Sequence, residues 1–231
     1  MDNQKILLAT PIHFSKDYVM IEWLLMIKML DGNYDILLVD NSPTETYSKK
    51  IRKFGFNVKY VNPKNDDFRT ILVKCREIIR KYAVKNNYDY LFSLECDVFP
   101  KLNIINRLLL HRRDVVGGYY FSGTKENIFV VLQRIIGNVG QKFHKAKNQS
   151  IQDVFYMTDG KKLKSVYTAG LGCVLISSRV FKNIKFEIKG DIGYDDVHFA
   201  ESLYHLRIPF LVDMSLRCRH ENQERKKIII K

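Results

Sequence analysis

Four short apolar runs, separated by stretches of helical periodicity, limit what this chain can fold into. Lys5–Thr10 (KILLAT) stops at Pro11, Tyr34–Asp40 (YDILLVD) stops at Asn41, Ser42 and Pro43, and Phe56–Val61 and Tyr90–Leu94 follow the same plan. The first two are apolar without alternation, as strands covered on both faces of a parallel sheet are. Between them, Asp17–Met29 sets Tyr18, Ile21, Leu24, Leu25 and Met29 near helical spacing, with Ser15 or Asp17 available as a cap. Tyr47–Phe54 and Thr70–Lys85 also read as helices. Strands alternating with helices predict an α/β fold: right-handed crossovers, a mostly parallel central sheet flanked by helices, and ligand sites at the carboxyl ends of the strands. The second half is less regular. Asp114–Phe121, Cys173–Ser177 and Phe210–Val212 read as strands and Asp195–Leu206 as a helix, whereas Ser122–Ser165 reads as an inserted basic loop region with one apolar stretch at Ile128–Ile136.

With 231 residues, 46% of them hydrophobic, the chain can bury one substantial core. No apolar run approaches the roughly 20 residues of a membrane span. The opening MDNQK lacks the basic start of a signal peptide, so a cytoplasmic location is expected. Cys75, Cys96, Cys173 and Cys218 form no CxxC pair, which speaks against a disulfide framework or a structural zinc. The net charge of +13 is uneven: residues 124–165 hold eight Lys or Arg against three Asp or Glu, and residues 217–231 six against two. Either these are solvated surface, or they form an acceptor-side patch able to touch an anionic membrane peripherally. No helix-turn-helix, zinc-finger or RNA-binding signature accompanies the charge, so nucleic acid is not an expected partner.

Chemistry concentrates where strands end. In LFSLECDVFP the fourth strand runs directly into Glu95 and Asp97. In extended chain, residues two apart face the same side, so both carboxylates can meet one hard divalent cation that keeps positions open for phosphate oxygens. Capping of a following helix is the plain alternative. Thr10 and Pro11 end the first strand, and Asp40 and Asn41 end the second; an Asp there can accept hydrogen bonds from a ribose or base, although Asp-Asn is equally a turn signal. Arg76 has a planar fork suited to phosphate or to stacking on a base, although an exposed surface arginine is the more frequent case. In GDIGYDDVHF, Asp195 and Asp196 open a helix, either as ordinary N-terminal carboxylates or as a source of a general base. His220 lies further on, among Arg217 and Arg219, where an imidazole can complete an oxygen-rich metal shell, although a lone surface histidine is normally inert.

Taken in order, strand-end Asp40, the ECD motif, AGLGCVLISSRVF and GYDDVHFAESL…RIPFLVD…RH resemble the GT-A-fold glycosyltransferases, and most nearly their large inverting group. The resemblance runs from about Lys5 to His220. It implies a single GT-A-like domain over residues 1–231, with a nucleotide-binding half (1–122) and an acceptor-side half (123–231). It further implies a nucleoside diphosphate sugar (UDP or GDP) as donor and Mn²⁺ or Mg²⁺ on Asp97, Glu95 and His220; Glu95 departs from the usual first Asp of the motif. By the same resemblance Thr10, Pro11, Asp40, Asn41, Arg76 and Glu95 line the donor pocket, and Ala169, Gly170 and Gly172 floor the sugar site. Asp196, paired with Asp195, is the implied base for inverting transfer to an acceptor hydroxyl on a glycan, a lipid-linked sugar or a protein. A nucleotidyltransferase is the alternative within the fold, but residues 10–17, TPIHFSKD, contain no glycine for its phosphate loop. A basic nucleic-acid-binding protein is the alternative outside it.

Overall fold

The computed structural model describes residues 4–123, 128–135, 146–149, 163–188 and 194–221. Strands are β1 (Ile6–Ile12), β2 (Tyr34–Asp40), β3 (Val58–Tyr60), β4 (Tyr90–Leu94), β5 (Val98–Phe99), β6 (Val115–Tyr119), β7 (Phe121–Gly123), β8 (Ile128–Ile135), β9 (Ala146–Gln149), β10 (Leu163–Val166), β11 (Cys173–Ser177), β12 (Phe210–Arg217) and β13 (Arg219–His220). Helices are α1 (Asp17–Met29), α2 (Thr46–Arg52), α3 (Phe68–Lys85), α4 (Ile104–Leu109), α5 (Ser178–Phe181) and α6 (Asp195–His205), with a 3-10 turn at Phe14–Lys16.

Eight strands form the central sheet in the order β10-β12-β6-β11-β4-β1-β2-β3. Six run one way and β10 and β11 run against them, so the sheet is mostly parallel. Consecutive residues of β1 explain its unbroken apolar sequence: Leu7 and Ala9 pack in the layer containing Ile71, Cys75 and Ile79 of α3, while Ile6 and Leu8 pack in the layer containing Trp23 and Ile27 of α1. A polar side chain on either face would lose its water without gaining a partner. β1, β2 and β3 step outward on one side, and the chain then returns to place β4 on the other side of β1. The crevice above the carboxyl ends of β1 and β4 is therefore the switch point of the sheet.

The first four strands and the helices between them follow the periodicity closely. α3 begins at Phe68 because Asp67 caps it, accepting from the amides of Arg69 and Thr70. α1 differs in its buried face. Val19, Met20, Trp23, Leu24 and Ile27 are buried, whereas Ile21, Leu25 and Met29 are more than half exposed. The helix is apolar nearly all round, so periodicity alone did not select the core face. Lys16, whose side chain makes no capping hydrogen bond, holds the N-cap position rather than Ser15 or Asp17.

Other differences lie in the second half. The final strand extends to Arg217, beyond Val212, because its parallel register with β6 resumes at Arg217 after an irregularity. The apolar stretch near Ile128 forms β8, which joins β7 and β9 in a separate three-stranded antiparallel sheet, where loop was expected. Most of the basic segment 124–165 and the tail beyond Glu221 lie outside the described residues, as does Gly190 of the GDIGYDD motif. Among the described residues, no helix is long and apolar enough to cross a membrane.

Candidate active site

Four chain segments meet over the β1/β4 switch point. β4 delivers Glu95, Cys96 and Asp97, and the chain turns at once because the Val98 amide bonds the Glu95 carbonyl at 3.0 Å. β1 delivers the turn Ile12–Lys16, held in place by the Phe14 amide on Ser42 Oγ at 2.9 Å and the Ser15 amide on His13 Nδ1 at 3.2 Å. β13 pairs with β5, setting His220 opposite Val98, and the Glu221 amide bonds the Asp97 carbonyl at 2.8 Å. The fourth segment is the start of α6, with Asp195 and Asp196 in its first turn. Together with Pro11, Asn41, Arg76, Tyr120, Gly170 and Tyr194 they line a cleft of about 770 Å³.

Arg76 organises the acidic wall. It is buried on α3, and its Nε donates to Asp195 Oδ2 at 2.9 Å, its Nη1 to Ser93 Oγ at 2.8 Å and its Nη2 to Glu95 Oε1 at 3.2 Å. Tyr120 adds a hydrogen bond from its hydroxyl to Glu95 Oε2 at 3.4 Å. Two carboxylates are thus tied to one guanidinium, and Glu95 bonds Arg76 and Tyr120. Burial, with Asp97, Asp195 and Asp196 around it, pushes the Glu95 carboxyl up to about 7 even against the pull of Arg76. Asp196 is different: it bonds the amide of Val197 at 2.8 Å and has no ion pair among the described residues. Burial and the adjacent Asp195 push it up to about 6, within the range of a general base at neutral pH.

Asp97 is nearly buried and sits between two basic groups. Its Oδ2 lies 2.5 Å from the Lys16 ammonium and 3.4 Å from His220 Nε2. Burial opposes its ionisation, but the His220 hydrogen bond and the Lys16 charge outweigh it and hold the carboxyl below the usual aspartate range. His220 Nδ1 lies 3.2 Å from the Phe121 carbonyl, which can only accept. Nδ1 is therefore the donor there, which leaves Nε2 facing the Asp97 oxygen either with a proton to donate or with a lone pair that a metal ion can take. Two acceptors at that separation need a proton or a metal ion between them, and a ligating imidazole usually has its second nitrogen on a carbonyl in this way. These two residues can contribute two ligands to a divalent cation, the remaining ligands coming from elsewhere than the described side chains. A larger protein cage is not present, since no three His, Cys, Asp or Glu residues converge as ligands among the described residues.

Other expected site residues fall into two groups. Pro11, Asn41, Arg76, Glu95 and Gly170 line the cleft. Thr10, Asp40, Ala169 and Gly172 do not. Asp40 is fully buried, and its oxygens hold the Ser42 amide at 2.9 Å and Ser48 Oγ at 2.5 Å, so it builds the loop after β2. Gly172 makes room: a Cβ there would overlap the Tyr120 hydroxyl and lie 2.6 Å from its ring carbon. Gly172→Ala is accordingly expected to destabilise the fold by about 1–3 kcal/mol, the usual cost of forcing atoms into a packed site. A thermal melt checks this, and an unchanged midpoint would show that Tyr120 moves freely. Lys16 and Tyr120 were missed by sequence reasoning. Lys16 had a usable signal, as a cation a few residues beyond a strand that ends at the switch point.

No protein-family model matches the chain, and no curated protein matches it by sequence. Solved structures match its shape. GalNAc-T7 with UDP, GalNAc and Mn²⁺ superposes with a TM-score of 0.63 at 12% identity, over 95% of this chain and 44% of that one. S. aureus TarS in complex with UDP-GlcNAc gives 0.58 at 15% identity, over 96% of this chain and 60% of that one. A CMP:2-keto-3-deoxy-manno-octonic acid synthetase complexed with CTP gives 0.51 at 13% identity, over 94% and 90%. The chain thus spans about half the length of the first two. At these identities the likeness is one of fold, and the fold is a GT-A-like α/β domain.

Proposed function

We propose that this chain is a glycosyltransferase, moving a sugar from a nucleoside diphosphate sugar to an acceptor hydroxyl with inversion. The observation that carries the reading is one cleft holding two differently prepared acidic centres. Asp97 is kept ionised beside His220, and Asp196 stands unpaired among the described residues with its pKa raised toward neutrality. The likeness to folds solved with UDP, UDP-GlcNAc and Mn²⁺ supports a nucleotide-sugar donor.

In this reading Asp97 and His220 hold the divalent cation, which when bound neutralises charge on the departing diphosphate. Pro11 and Asn41, at the ends of β1 and β2, receive the nucleotide, and Gly170 leaves space for the sugar ring. Asp196 takes the proton from the acceptor hydroxyl as that oxygen attacks the anomeric carbon from the face opposite the diphosphate, which inverts the centre. Arg76 holds Asp195 and Glu95 in place and does not itself need to touch substrate. The acceptor is a glycan, a lipid-linked sugar or a protein.

The test is a panel of nucleotide sugars, with and without Mn²⁺, scored by thermal shift and by donor hydrolysis. A UDP- or GDP-sugar is expected to raise the midpoint in the presence of Mn²⁺, and Asp97→Asn to abolish most of the metal-dependent part. Equal binding of every donor in EDTA would remove the metal assignment. The synthetase likeness, over 90% of that chain, favours a second reading as a nucleotidyltransferase. Release of pyrophosphate from a nucleoside triphosphate, in place of nucleoside diphosphate from a nucleotide sugar, would select it.

A further inference from the structure

Lys16 is the feature that the reading above leaves without a task. Its ammonium lies 2.5 Å from Asp97 Oδ2, the same oxygen that faces His220 Nε2. A cation therefore already occupies the neighbourhood in which a divalent ion would bind. Its main chain is fixed, with the Lys16 amide on the His13 carbonyl at 3.0 Å, in a turn tied to Ser42. The side chain is 38% exposed at the edge of the cleft, while its Asp97 partner is 6% exposed. An ammonium on a flexible four-carbon stem can exchange one oxygen anion for another within a few Å without moving the backbone, which a planar guanidinium does less readily.

We propose that Lys16 is an exchangeable counter-ion: it holds Asp97 in the protein without donor, opposes divalent metal at the Asp97–His220 pair, and moves onto the donor's diphosphate when metal and nucleotide arrive together. The inference rests on the metal site of the proposed function. Its physical content is repulsion. A divalent ion bound between Asp97 and His220 stands within a few Å of the ammonium, and two cations at that range in a partly desolvated cleft repel each other strongly. A diphosphate reverses the sign, because it offers the ammonium a second anion and the metal further oxygen ligands. Metal and nucleotide then bind cooperatively, each tightening the other by the same factor.

The experiment uses the full chain without nucleotide, with Mn²⁺ alone as the probe, its free concentration read by electron paramagnetic resonance. Lys16→Met is expected to bind Mn²⁺ at least about tenfold more tightly than wild type, and Lys16→Arg to stay near wild type. Adding Asp97→Asn to Lys16→Met should remove the gain, which places it at this site. In a second arm UDP and GDP are titrated with and without Mn²⁺. Wild type should show mutual tightening of metal and nucleotide, and Lys16→Met should show less of it, keeping only the part that the metal's own phosphate ligands supply. Equal Mn²⁺ affinity in wild type and Lys16→Met, or a gain that survives Asp97→Asn, overturns the role of Lys16. Neither result touches the transfer reading, which is judged on donor turnover. No Mn²⁺ binding in any variant overturns this inference together with the metal site.

Discussion

Asp196→Asn is expected to lower turnover by at least about a hundredfold while leaving nucleoside diphosphate affinity nearly unchanged, the signature of a lost general base. The substitution keeps shape and removes the one group at the start of α6 that is not committed to an ion pair among the described residues. Its neighbour cannot replace it, because Asp195 Oδ2 is bound by the buried Arg76 at 2.9 Å. The pH dependence supplies an independent check. A base must be deprotonated to act, and the Asp196 carboxyl is pushed up to about 6 by burial and by Asp195. Wild-type turnover should therefore fall as pH drops through that value, and the limb should vanish from the residual activity of the Asn variant. A change in donor affinity without a change in rate would move Asp196 from proton transfer to sugar recognition.

Removing Arg76 is expected to do the largest damage to the fold. Arg76→Met leaves the buried Asp195 without its counter-ion and takes one partner each from Ser93 and Glu95. Breaking a buried pair from one side typically costs about 3–5 kcal/mol. In a chain of this size, at about 2–4 °C per kcal/mol, the melting midpoint should fall by roughly 6–20 °C. The sign of the pH effect separates charge from packing. The orphaned carboxylates become tolerable once protonated, so the deficit relative to wild type should shrink as pH is lowered from 8 to about 5. A deficit that is constant with pH would mean that lost packing, not unpaired charge, dominates. Arg76→Lys should recover only part of the loss, since one ammonium cannot span the three acceptors.

Residues near in sequence behaved as their local patterns required. Unbroken apolar runs, punctuated by Pro11 and by Asn41-Ser42-Pro43, are enough to define β1 and β2, because strands buried on both faces tolerate nothing else. Glu95, Asp97, Asp195, Asp196 and His220 were recognisable as chemistry at strand and helix ends, and the cleft gathers all five. Which partner each would take was not legible, since ion pairing is set by contacts between distant segments. Arg76 reaches Asp195 across 119 positions and Lys16 reaches Asp97 across 81. Asp40 shows the same limit, for a strand-end Asp aimed at a ligand and one aimed at its own loop carry the same sequence signal. The exposed face of α1 and the formation of β8 were likewise decided by what packs alongside them. Periodicity therefore determined the layers of this protein and the ends where its chemistry sits. Tertiary structure alone decided which carboxylates are neutralised and which has no ion pair among the described residues, because Coulomb and desolvation energies depend on distance in space rather than along the chain.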